Sequence, residues 1–114
     1  MAGVPFKAGP AFLLTTSEDV AGVTPSANTY RLIRHIHIAN TNAAARTVSL
    51  WLGLTGAETN GTEIVEGKSI AGNDVLDLYF PSGLRVATTD FLVGMAGTDA
   101  TSLVITVTGD TYVL

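Results

Sequence analysis

The stretch Thr29-Tyr30-Arg31-Leu32-Ile33-Arg34-His35-Ile36-His37-Ile38-Ala39-Asn40 governs how the rest of the chain is read. Bulky residues alternate with polar or cationic ones, the period of a strand with one face on a core. Tyr30, Leu32, Ile36 and Ile38 share one parity and are expected on the core face. Ile33 has the other parity, which predicts a bulge or two-sided burial near Ile33–Arg34. Apolar spacing at i, i+3, i+4 and i+7 is missing here and nearly missing elsewhere, so helices are not expected beyond one turn around residues 43–46.

Working outward, Asn40 to Arg46 reads as a turn, and Thr47 to Leu54 predicts a strand with Val48, Leu50 and Leu52 inward. Thr55 to Gly61 reads as a loop, and Glu63 to Val65 as a short edge strand. Asp74 to Phe80 alternates, with Leu76, Leu78 and Phe80 on one side, and Pro81 and Gly83 are expected to end it. Leu84 to Ala87 and Phe91 to Ala96 follow, as two strands or as one interrupted at residues 88–90. Ser102 to Gly109 closes the set with Leu103, Ile105 and Val107 inward, and Thr111 to Leu114 extends it as an edge. Toward the N-terminus, Ala11 to Thr16 predicts a short strand and Ser17 to Ala27 a loop. The expected fold is all-β, an antiparallel β-sandwich or jelly roll of about seven or eight short strands.

The chain has 114 residues, the size of one domain. Residues 11–114 are read as the sandwich and residues 1–10, with Gly3, Pro5, Gly9 and Pro10, as an extended arm. Val4 and Phe6 project from one side of that arm. They are expected either to dock in an apolar groove of a neighbouring subunit or shell, or to pack across the chain's own sandwich and close an open edge. Charged residues make up 14% against a usual share of about 25%, and hydrophobic residues 46%. Such a chain is not disordered. It either covers surface with a partner or owes its hydrophobic count to small residues.

The net charge is −4, and the two Lys and four Arg are scattered, so direct nucleic-acid binding is not expected. Cysteine is absent, which excludes disulfides and thiolate metal sites. The apolar run from Ala11 to Leu14 is too short for a signal peptide core or a membrane span, and a soluble protein without membrane contact is expected.

Several segments together resemble small structural proteins of tailed bacteriophage virions. One runs from Pro25 through the opening stretch to Asn42, an Arg-bearing strand that ends Ile36-x-Ile38-x-Asn40. It leads through a small-residue turn to Val48-Ser49-Leu50-Trp51-Leu52-Gly53. Ile70 to Asp77 and Leu103 to Gly109 fit the same pattern. The resemblance implies a capsid decoration (cement) protein, or a head or tail accessory subunit, located in the virion after synthesis in the host cytoplasm. It implies the major capsid protein or another virion protein as partner. It also implies a homo-oligomer, with a trimer the first expectation because such proteins often occupy three-fold positions. No catalytic residue and no cofactor comes with it.

His35 and His37, the only histidines, project from one strand face and could form half of a metal site. Such a site needs an Asp or Glu from another strand, and no acid occurs from Ile38 to Trp51, where a cupin would carry its Glu. The pair is therefore read as an outer-face pair without a metal. Asp74, Asp77, Glu58, Glu63 and Glu66 are read as solvated loop acids, because no calcium-loop spacing joins them. Neither a Gly-x-Ser-x-Gly elbow nor a complete phosphate-binding Gly-x-x-x-x-Gly-Lys-Ser/Thr loop is present, since Gly67-Lys68-Ser69 has Thr62 where the first glycine would stand. No enzymatic activity is expected.

Surface chemistry remains. Trp51 has the parity opposite Val48, Leu50 and Leu52 and is expected to face away from the core. If its strand pairs with the opening stretch, Arg31, His35 and His37 line the same face, which makes Trp51 an interface anchor. Alternatively the N-terminal segment covers it. The expected partner surface is thus Val4, Phe6, Arg31, His35, His37 and Trp51. A carbohydrate-binding sandwich with Trp51 or Tyr79 as stacking platform is the reading from another class.

Overall fold

The alternating segments form β1 (Val4–Phe12), β2 (Glu18–Asp19), β3 (Thr29–Asn40), β4 (Arg46–Gly53), β5 (Glu63–Ile70), β6 (Val75–Val86), β7 (Phe91–Ala96) and β8 (Leu103–Val113). These are the strands of a computed structural model that describes residues 3–53 and 62–114. The loop expected at Thr55 to Gly61 and Glu58 lie outside the described residues.

Pairing runs from the ends of the chain inward. β1 pairs with β8, β2 with β7, β3 with β6 and β4 with β5, each antiparallel. The chain is thus one long antiparallel ribbon. It folds over so that β3 also pairs with β8 and β4 with β7. The result is two four-stranded sheets, β1-β8-β3-β6 (sheet I) and β2-β7-β4-β5 (sheet II). A rolled ribbon of this kind is an eight-stranded jelly roll. Each strand has one apolar face, and stacking the two sheets buries both sets at once.

Ile33, Ile36, Ile38, Val86, Leu103, Ile105 and Val107 of sheet I meet Val48, Leu50, Ile70, Leu92 and Ala96 of sheet II. The expected core residues Leu52, Leu76 and Leu78 are only half-buried against this cluster. For Leu76 and Leu78 the reason is position, because β6 is an edge strand of its sheet.

The irregularity expected near Ile33–Arg34 is a bulge in β3, whose register against both neighbours shifts between Ile33 and His35. Arg34 is the extra residue, so the inward parity changes there. Ile33 and Ile36 are both fully buried. Tyr30 and Leu32, expected on the core face, are carried to the opposite side. β6 accommodates the bulge: Leu84 pairs with Ile33 and Tyr79 with His35, and residues 80–83 make an excursion opposite Arg34. Arg34 donates a hydrogen bond to the Pro81 carbonyl at 3.1 Å, and Gly83 supplies a left-handed backbone with φ 79°. Pro81 and Gly83 therefore bend the strand instead of ending it, and Val75–Val86 is one strand.

The segment read as an extended arm is extended, and most of it belongs to β1, which pairs along β8 from Val4↔Thr111 to Phe12↔Val104. The expected boundary between residues 10 and 11 falls inside this strand. Ala8 is buried in the core and Phe6 packs against it, so the segment lies on its own sandwich.

Candidate functional site: the outer face of sheet I

Beyond the bulge, β3 returns to strict alternation, and His35 and His37 both point outward. Register fixes their neighbours. Lys7, Thr108, His35 and Tyr79 form one row across β1, β8, β3 and β6. Thr106, His37 and Asp77 form the next. Asp77 lies directly opposite His37 and diagonal to His35, within side-chain reach of both.

Both imidazoles converge on one oxygen. His35 Nε2 is 2.8 Å and His37 Nδ1 2.7 Å from Asp77 Oδ1. An ionised carboxylate only accepts, so each of these ring nitrogens donates, which assigns His35 as the Nε2–H and His37 as the Nδ1–H tautomer. The hydrogen bond from His37 first, and that from His35 second, hold the Asp77 carboxyl below its usual value of 3.8, with desolvation opposing. The His35 ring is fixed from its other side by Tyr79, stacked at 4.5 Å with 7° between planes. Donor atoms of His35, His37 and Asp77 all lie within 4.8 Å of one another.

Across the bulge the same face carries a second aromatic group. Tyr30 and Tyr112 stack at 5.2 Å, and the Arg85 guanidinium lies 4.1 Å from the Tyr30 ring centre. Arg34 Nε approaches Asp110 Oδ2 at 3.4 Å. All three tyrosines and both histidines of the chain therefore share one sheet face.

The other expected partner residues are distributed differently. Arg31 lies before the bulge and shares the inward face of Ile33. It donates to the Gly22 and Val23 carbonyls and to Thr111 Oγ1, and sits 4.4 Å over the Phe6 ring. It clips β1 and the 22–23 turn onto the sandwich, so Arg31 and Phe6 are occupied within the chain. Val4 is 67% exposed.

Trp51 faces away from the core cluster, as its parity predicts, but it is only 4% exposed. Its strand β4 belongs to sheet II and does not pair with β3, so Trp51 is not beside the histidines. The expectation of an outward anchor flanked by Arg31, His35 and His37 is corrected on both counts. Strand β1 lies in the other sheet.

Asp77 is likewise not a loop acid but a mid-strand residue facing the histidines. Its parity, opposite Leu76, Leu78 and Phe80, was the available signal. The pairing of β3 with β6 was not legible. Tyr30 and Tyr112 were missed because the bulge inverts one of them and β8 runs on past Gly109.

No protein-family model matches the chain, and no curated protein shows significant similarity to it.

Proposed function

We propose that the chain is a non-enzymatic structural protein of a virion, a decoration protein that binds the outside of an assembled capsid and stabilises it. The observation that carries this reading is the gathering of all three tyrosines, both histidines, Arg34 and Arg85 on the outer face of one sheet. Tyr and Arg are the side chains that partners preferentially bury, and charged residues are otherwise sparse in this chain. The clustered titratable groups sit on an open strand surface, which favours binding over the concave pockets of catalysis. The likeness to phage structural proteins supplies the partner class, the major capsid protein or another virion protein. A homotrimer is the proposed unit. Many copies bridging neighbouring capsomers would add interface free energy and make the shell harder to open. A tail or head–tail accessory subunit would use the same face on a different virion protein.

Co-sedimentation with expanded, undecorated capsids tests the proposal. Wild type should pellet with shells, and Tyr30→Ala combined with Tyr79→Ala should not. Wild type that stays in the supernatant would overturn it. Light scattering that shows a monomer at high concentration would remove the trimer and leave binding one copy at a time. Tyr79, 69% exposed, keeps one further reading in play, a carbohydrate-binding module with this ring as platform. A glycan array on which Tyr79→Ala abolishes a wild-type signal would favour it.

A further inference from the structure

We propose that His35, His37 and Asp77 form a binding site for a divalent transition-metal ion of the zinc class, on the outer face of sheet I and with one coordination position open. Two imidazoles and a carboxylate are a donor set suited to zinc and its neighbours, and three protein ligands with a free fourth position describe an open site.

Geometry supports the assignment. The two nitrogens that face Asp77 Oδ1 stand 2.8 and 2.7 Å from it. Ligands about 2.0–2.2 Å from a tetrahedral zinc are about 3.3–3.5 Å apart, so each nitrogen must draw back from Asp77 Oδ1 by about 0.5–0.8 Å to admit the ion. Neutral imidazole can move its proton to the other ring nitrogen, which turns both inward N–H groups into lone pairs without net proton loss. The carriers are neighbouring strands: β3 and β6 run in unbroken antiparallel register from His35↔Tyr79 to Ala39↔Val75, through the site. Tyr79 holds the His35 plane. Side-chain exposures of 27%, 39% and 30% for His35, His37 and Asp77 leave the ion a route from solvent.

The third ligand is what the sequence lacked. His35-x-His37 is followed by no nearby acid, and Asp77 arrives from a strand about forty residues on. Because the chain has no other histidine and no cysteine, an imidazole signal can come from nowhere else.

The experiment uses the untagged, chelator-treated full chain. Titration calorimetry with zinc chloride should give one ion per chain and a raised Tm. His35→Gln, His37→Gln and Asp77→Asn should each weaken binding about tenfold or more, since losing even a hydrogen-bonding partner of a ligand costs that much. X-ray absorption of the wild-type zinc complex should show two imidazoles in the first shell, a readout independent of how the variants fold. Absence of stoichiometric binding, a first shell without imidazole, or unweakened binding in a folded His35→Gln/His37→Gln double variant would each overturn the site.

Discussion

Ile33 and His35 are two residues apart on β3 and point to opposite faces of their sheet, the first fully buried and the second outward toward Tyr79. In regular alternation they would share a face. Arg34 stands between them as an unpaired extra residue, and the grouping of tyrosines and histidines depends on its being left out of the alternation.

Removing Arg34 altogether should therefore leave both faces of β3 as they are. Deletion joins Ile33 directly to His35, one inward and one outward by plain alternation, and their partners Gly109 and Thr108 are already adjacent on β8. The deletion variant is expected to keep a cooperative unfolding transition, with its cost confined to β6, whose excursion at residues 80–83 loses what it faces. Arg34→Ala keeps the bulge and loses an exposed ion pair with Asp110, so its stability should change little. Urea unfolding of both variants checks this, and loss of the transition in the deletion variant would refute the assignment of Arg34 as the extra residue.

Core position should set the cost of leucine truncation. Leu50 is completely buried between the sheets, and Leu50→Ala is expected to cost about 2–5 kcal/mol. Leu52, half-buried on the same strand, should cost clearly less. Denaturant midpoints at constant m report the difference directly. A loss below about 0.5 kcal/mol for Leu50 would place the register one residue out.

Acid sensitivity should trace in part to Asp99. Its carboxylate accepts from the Ser102 hydroxyl at 2.6 Å and from the Thr101 amide and hydroxyl, with Arg46 nearby. The Ser102 bond leads in lowering its pKa from 3.8 to about 2. A depressed folded-state pKa means stability that is fully present above the unfolded value and lost as pH falls from there toward the folded one. Wild type should therefore exceed Asp99→Asn in Tm at neutral pH, and the gap should close between about pH 4 and pH 2. A gap that does not depend on pH would assign the loss to geometry rather than charge.

Deleting residues 1–10 should destabilise the domain itself. The deletion removes most of β1, uncovers the β8 edge and strips Phe6 from Arg31. Exposed edges also invite association between chains. Thermal unfolding should show a lowered Tm, and light scattering a rise in aggregates. An unchanged Tm would restore the alternative in which the segment serves a neighbouring subunit or shell.

Much of this architecture is local and therefore legible in the residues. The bounds of β3 and β7 match their alternating runs, because side-chain period and β-branching are properties of the segment alone. Ile33 announced the bulge through its wrong parity. Trp51 faces away from the core cluster as its parity on β4 required. Pro81 and Gly83 misled, since breaker residues mark an irregularity without saying whether the strand stops or bends.

Partners between strands are decided differently. Which strand lies beside β3 depends on burying two whole sheets against each other, a free energy summed over residues far apart in the chain. Only that sum brings Asp77 opposite His37, sends β4 and Trp51 to the other sheet, and lays Val4–Phe12 along β8. The sequence by itself determined that there would be an outward-facing His35-x-His37 pair on a strand. The tertiary structure alone decided what stands across from it, because cross-strand register is a long-range choice that no local pattern encodes.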